Sequence, residues 1–202
     1  REANDLTSNY QITKENGTIG VMGTEESFKL NLSEAGFVYD GEGHSLPEGN
    51  ISNTAAGGTT TYEYSTDGTT WGENPEFVTV KGEEEGYTVY VKAENPNYKN
   101  AVVESTTVTI TKRPLTVTAV SKTDYVYDGS EKKLGYGITA EEAGKGLLEK
   151  KGHKAYVVLE NNSQTEAGSH AVTVGEVAIY TGEDREANDL TSNYQITKEN
   201  GT

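Results

Sequence analysis

The 202-residue chain has no cysteine, one methionine, one tryptophan and four prolines. Without cysteine it has neither a disulfide staple nor a thiolate nucleophile, so the small disulfide-framed secreted folds are excluded. Basic residues are scarce as well. Seventeen Lys and Arg stand against 32 Asp and Glu, giving a formal net charge of −15. Phosphate binding needs a basic stripe, and none is present, which argues against nucleic acid as a partner. The same charge opposes adsorption to anionic lipid. No apolar run approaches the roughly 20 residues that span a bilayer, so no membrane insertion is expected.

Histidine is rare too. His44, His153 and His170 have no metal-ligand spacing and share no motif. Ser169 and His170 are adjacent, but a nucleophile and its base must meet across a fold with a third, orienting group. All three histidines are expected at the surface or at strand ends. No catalytic, cofactor-binding or metal-binding residue is expected, and the chain is not read as an enzyme.

What is abundant is equally informative. Thirteen Tyr and 23 Gly accompany a hydrophobic share of 33%. That is too apolar and too aromatic for a disordered acidic tail. Thr, Val, Tyr and Gly together fit short strands joined by tight turns. In Tyr87–Ala93, residues 87, 89, 91 and 93 form the inward set of a half-buried strand. Strands are also expected at Thr107–Thr111, Lys154–Glu160, Ala171–Val174, Glu176–Tyr180 and Tyr194–Thr197. Asp-Gly pairs at 40–41, 67–68 and 128–129 suit the positive φ of tight turns. One helical candidate, 139–151, offers Thr139 and Glu142 as a capping box and Leu147 and Leu148 as an apolar pair. Gly144 and Gly146 limit it to a short helix at most.

Residues 1–18, REANDLTSNYQITKENGT, recur letter for letter at 185–202. The period is therefore 184 residues, and the chain reads as one full repeat plus the start of the next, an internal stretch of a tandem array. A weaker repeat lies inside. Phe37-Val38-Tyr39-Asp40-Gly41 returns 88 residues later as Tyr125-Val126-Tyr127-Asp128-Gly129. Each copy follows an alternating stretch, Phe28–Leu32 or Leu115–Ala119. The expected organisation is a closing hairpin of the preceding repeat at 1–23, module one at 24–112 and module two at 113–202, with a join near Lys112-Arg113-Pro114. Short strands with turn signals between them fit two β-sandwiches, with a closed barrel as the alternative. The fold class is all-β.

The motifs and their order carry a resemblance. Module two runs Arg113-Pro114-Leu115-Thr116-Val117-Thr118, then Val126-Tyr127-Asp128-Gly129. It ends with Ser192-Asn193-Tyr194-Gln195-Ile196 and Asn200-Gly201-Thr202. This resembles the bacterial immunoglobulin-like repeats called MBG-type, found in large Gram-positive and gut-bacterial surface proteins. Module one resembles a companion type, with Val38–Gly41, Tyr62–Gly68, Trp71 and Ala93–Tyr98. The resemblance implies an extracellular, cell-surface array, attached to the cell wall through a segment outside this chain. It carries over no catalytic or ligand-binding residue. The four Asn-x-Ser/Thr sequons that precede the repeated tail, at Asn16, Asn31, Asn50 and Asn161, carry no meaning in a bacterial protein.

The remaining features have plain readings. Glu83-Glu84-Glu85 and Glu183–Asp189 are acidic enough for calcium, but they lack the EF-hand spacing and read as solvated loops. Tyr62, Tyr64 and Trp71 could present a sugar-stacking platform; burial in a small core is the favoured reading, with Trp71 mostly buried. No motif for an intramolecular isopeptide bond is visible. The leading function is a non-catalytic spacer repeat of an adhesin stalk, with neighbouring repeats as its partners. The alternatives are a host glycan- or protein-binding module and an accessory domain of a secreted glycosidase. A last expectation concerns the repeated segment. Tyr10–Thr13 and Thr18–Val21 should form a hairpin around Lys14-Glu15-Asn16-Gly17, and module two should lack its closing strand. The N-terminal segment would then dock head-to-tail on module two of another molecule by strand addition.

Overall fold

A computed structural model describes residues 11, 13–82 and 85–201. The chain is all-β. Its strands are β1 (Leu30–Leu32), β2 (Ala35–Val38), β3 (Ile51–Asn53), β4 (Thr61–Ser65), β5 (Tyr87–Glu94), β6 (Val102–Thr111) and β7 (Arg113–Ala119), followed by β8 (Lys132–Lys133), β9 (Tyr136–Ile138), β10 (Lys154–Glu160), β11 (Ser163–Gln164), β12 (Thr173–Tyr180) and β13 (Tyr194–Glu199). The largest sheet has the order β2-β6-β5-β4. Within it β4, β5 and β6 are antiparallel, while β2 runs parallel to β6, with Ala35 opposite Val108 and Phe37 opposite Ile110. A three-stranded sheet has the order β13-β7-β9, in which β13 runs parallel to β7 from Tyr194↔Arg113 to Glu199↔Thr118. Three strand pairs complete the set, β1 with β3, β10 with β12, and β8 with β11.

Alternation decides which residues go inside. In β5 the side chains of Val89, Val91 and Ala93 are fully buried, as the period of two requires. In β6 the buried residues are Val108 and Ile110; in β7 they are Arg113, Leu115, Val117 and Ala119. The buried parity changes from even to odd across Lys112. A shift of one residue turns every following side chain to the opposite face. One residue thus suffices to pass the chain from one sheet to the next. Pro114 is the second residue of β7, outside the β9 pairing at Val117–Ala119. There its missing N–H costs no ladder bond.

The core runs in three linked clusters. The first holds Phe28, Leu30, Leu46, Val89, Val91 and Val108. The second, at the β6–β7 passage, combines Tyr39 and Ile110 with Leu115, Leu147, Leu148, Ile179 and Tyr194. The third holds Val117, Ala119, Val172 and Val174. Phe77 packs on both the first and the second cluster, and Ile138, Val177 and Ile196 on both the second and the third.

Several expectations need correction. The capping box at Thr139 and Glu142 does not form. Thr139 Oγ1 instead donates to the Thr116 carbonyl and accepts from the Thr116 N–H. Glu142 and Lys145 exchange backbone bonds across a tight turn, and the only helical geometry in 139–151 is a 3-10 turn at Glu149–Lys151. The glycines decide this, because Gly144 and Gly146 adopt φ of 74° and 82°, which an α-helix cannot hold. The two strands expected at Ala171–Val174 and Glu176–Tyr180 are one, β12, which begins at Thr173; Ala171 lies before it and Val172 forms only an isolated bridge to Gly201. The pairing of β12 with β10 slips register between Val157 and Leu159, a bulge that the turn-based reading took for a break. Thr18–Val21 forms no strand, and Ile19 and Val21 are each 91% exposed. Of the expected partner strand, Tyr10–Thr13, Tyr10 and Ile12 lie outside the described residues.

Candidate functional site

Two places concentrate unusual features: the β6–β7 junction and a groove beside residues 120–127. At the junction Arg113 is 3% exposed. Its Nε donates to the Gly146 carbonyl at 2.7 Å and its Nη2 to the Glu142 carbonyl at 2.6 Å, with a further bond to the Lys145 carbonyl. Nη1 reaches the Tyr39 carbonyl at 3.4 Å. The planar fork therefore ties the 139–146 turn to the end of β2. Buried carbonyls need donors, and a guanidinium supplies several in fixed geometry.

Aromatic rings fill the space behind it. Tyr39 meets Tyr194 edge-on at 5.7 Å between centroids, a favoured arrangement, and tilts toward His153 at 6.1 Å. The Tyr194 hydroxyl accepts from the Leu148 N–H and sits 2.7 Å from His153 Nδ1. Burial pushes the Tyr194 phenol up to about 12, so it stays protonated and can donate to that nitrogen. Burial, reinforced by the nearby charges of Lys151 and Arg113, pushes the His153 pKa down. The imidazole is thus kept neutral, which suits an acceptor at Nδ1. Two further links cross the junction. The Val80 N–H donates to Asn193 Oδ1 at 2.8 Å, and Lys151 pairs with Glu42.

The groove has a volume of about 320 Å³. Tyr125, Val126, Tyr127, Leu134, His170 and Val172 are among the residues that line it. Tyr125, Val126 and Tyr127 are 44%, 78% and 69% exposed. Their counterparts 88 residues earlier behave otherwise: Phe37 is paired in a sheet and Tyr39 is only 2% exposed. The turn that follows is nevertheless the same in both. Asp40 Oδ1 accepts from the Glu42 N–H and Asp128 Oδ1 from the Ser130 N–H, with Gly41 and Gly129 at φ of 74° and 76°.

The other candidates have ordinary environments. His44 stacks on Phe37 at 4.2 Å and bonds Asp40 at 2.9 Å. His170 lies 3.2 Å from the Glu166 carbonyl. His153, expected at the surface or at a strand end, sits directly before β10 and is buried; its neighbours on a 3-10 turn gave no periodic signal of that burial. Tyr62 and Tyr64 are half-buried against the first core cluster, as anticipated. Trp71 departs from expectation. It is half-buried and belongs to no core cluster, with Lys92 Nζ 5.4 Å above its ring. The turn after Asp67 explains this, since it carries Trp71 past the end of β4. In the second acidic stretch the carboxylates hold turns. Asp184 accepts from the Glu186 and Ala187 N–H groups and Asp189 from Thr191. Glu83 and Glu84 lie outside the described residues. Among the described residues no group of acidic side chains and histidines is arranged to hold a metal ion.

Comparison with protein-family models, with curated proteins and with solved structures returned no match to this chain.

Proposed function

We propose that the chain is a non-catalytic spacer repeat of an extracellular bacterial surface protein, of the kind that builds an adhesin stalk. The carrying observation is the junction. A spacer transmits length only if its joints resist bending, and here one residue separates β6 from β7. Arg113, the Tyr39–Tyr194–His153 cluster and a shared apolar core brace that joint. A linker with no core across it bends freely by comparison. The 18-residue identity supports repetition in tandem, which sets reach. The net charge of −15 favours solubility and repulsion between neighbouring stalks. On this reading residues 24–112 and 113–202 act as two immunoglobulin-like modules held rigidly together.

The test is small-angle scattering on proteins carrying one, two and four 184-residue repeats. The maximum dimension should rise in proportion to repeat number. Growth as about the square root of that number, as flexible linkers give, overturns the proposal.

One observation favours a second reading, a glycan-binding module. Trp71 is half-exposed beside a sheet that also carries Tyr62 and Tyr64. The Lys92 ammonium over its ring competes for the stacking face a sugar would use.

A further inference from the structure

Among the described strands only two pairs are parallel, β2 with β6 and β7 with β13. Each pair encloses the strands between its members. In sequence β3–β5 lie between β2 and β6, and β8–β12 lie between β7 and β13. Tension on the backbone therefore reaches the enclosed strands only once the enclosing pair has parted.

The parallel sense decides how such a pair parts. The chain enters β7 at Arg113 and leaves β13 at Glu199. Arg113 lies opposite Tyr194 and Thr118 opposite Glu199, so entry and exit sit at opposite ends of one paired ribbon. A pull then slides one strand along the other and loads the evenly spaced ladder bonds together. In an antiparallel pair entry and exit share an end, and the bonds open one after another. The β2–β6 pair has the same sense. It runs from Ala35↔Val108 to Val38↔Thr111, and the chain leaves it at Thr111. Two bonds reinforce that exit. The Tyr39 N–H donates to the Thr111 carbonyl at 2.9 Å, and Thr111 Oγ1 donates to the Phe37 carbonyl at 3.1 Å.

Side chains oppose the slide as well. The Arg113 fork pins β7 at its entry through the carbonyls of Gly146 and Glu142. Tyr194, 4% exposed at the start of β13, packs its ring against Tyr39, and its hydroxyl holds the Leu148 N–H and His153. Moving β13 along its axis withdraws that buried ring from its partners. At the opposite end of the pair Thr118 Oγ1 donates to Glu199 Oε2 at 2.8 Å. Only Lys112 separates the exit of β6 from the entry of β7, so load passes from one pair to the next with a single residue of slack.

We propose that the chain bears tension, with the β2–β6 and β7–β13 pairs acting as shear clamps in series that keep each half folded under a pull along the backbone. Tension-bearing is separate from reach and rests on strand pairing alone: a joint can resist bending while the sheets beside it part easily under load. What the clamps slow is the rate of unfolding, because forced unfolding follows the barrier and not the equilibrium.

Pulling the same fold in two directions with optical tweezers tests this. The chain has no cysteine, so two introduced thiols carrying DNA handles fix where the force acts. Pro114→Cys with Glu199→Cys, both at exposed positions, pulls the β7–β13 pair from opposite ends. Pro114→Cys with Gln195→Cys, exposed positions directly opposite each other, pulls it open from one end. The rupture force should be roughly threefold higher or more in the first direction, because several ladder bonds share a load that falls on one bond in the second. Glu199→Cys removes the bond from Thr118, which works against that expectation. A second measurement needs no substitution. The unsubstituted chain, held by handles fused to its two ends, should lose each half abruptly and show wide hysteresis on relaxation. Equal forces in the two directions overturn the proposal. So does gradual, reversible opening of the unsubstituted chain.

Discussion

Replacing Arg113 by Ala separates a braced joint from a passive one. The guanidinium is almost wholly buried and donates to the carbonyls of Gly146, Glu142, Lys145 and Tyr39. Hydrogen bonds to a charged group contribute about 1.5–3 kcal/mol each, and a buried carbonyl left without a donor costs about 1–3 kcal/mol. The bonds are not additive, because water enters the vacated space and solvates part of what is lost. Removing one partner from a buried charged cluster costs about 3–5 kcal/mol, and roughly 4 kcal/mol is the value expected here. Arg113→Lys keeps the charge but loses the fork, so about half of that is expected. The assay is urea unfolding followed by far-ultraviolet circular dichroism and by Trp71 fluorescence. The native chain should unfold in one transition, because the second core cluster joins Tyr39 and Ile110 to residues beyond Arg113. In Arg113→Ala the two signals should separate, with Trp71 reporting the first half alone and a lowered apparent m-value. A loss under about 1 kcal/mol with coincident transitions would refute the argument that this side chain couples the halves.

Three further perturbations probe other parts of the structure. Gly146→Ala should cost roughly 3 kcal/mol or more by thermal or urea unfolding, since its Cβ would sit 2.0 Å from the Ala140 carbonyl oxygen at a φ of +82°. Gly144→Ala has a similar φ and open space around it, so only about 1 kcal/mol should be lost; equal effects would show that contact is not what matters. His153 has a folded-state pKa below its ordinary value, so the unfolded chain binds more protons near neutrality and stability rises with pH. That contribution should disappear as pH falls through about 6.5 toward the lower folded value, and His153→Gln should remove the dependence in this window. Carboxylates held low by hydrogen bonds, such as Asp67 and Asp128, act only at more acidic pH and leave the window clear. Trp71→Ala should cost about 1–2 kcal/mol, less than a core truncation, because the ring is only half-buried. A change in Trp71 emission on adding host glycans would favour the binding reading.

The strands that carry the core were legible because alternation is a local signal. Tyr87–Ala93 and Lys154–Glu160 lie where the period of two places them, the second with its bounds intact. The Asp-Gly turns were legible for a similar reason, since φ near +75° at Gly41, Gly68 and Gly129 is a property of the dipeptide and its neighbours. The junction was legible as a position but not as a brace. Pro114 marks the passage, while the partners of Arg113 lie 29–74 residues away in sequence. No periodicity announces an arginine that binds carbonyls, and its inward place in the alternation of β7 was its only signal. His153 and Asn193 were missed on the same ground, as buried polar residues fixed by distant partners.

The sharpest failure of local reasoning lies in the repeated segments. Phe37-Val38-Tyr39 and Tyr125-Val126-Tyr127 have nearly the same strand propensity and end in the same Asp-Gly turn, yet only the first is a strand. Their own side chains do not explain the difference, because an isolated extended segment gains no ladder bonds and buries no face. What differs is the neighbour. Thr107–Thr111 supplies Phe37 with a parallel partner and seals Tyr39 under the second core cluster, whereas a groove stands beside Tyr127. A β-strand is thus a property of a pair and not of a segment, which is why two near-identical motifs take different structures.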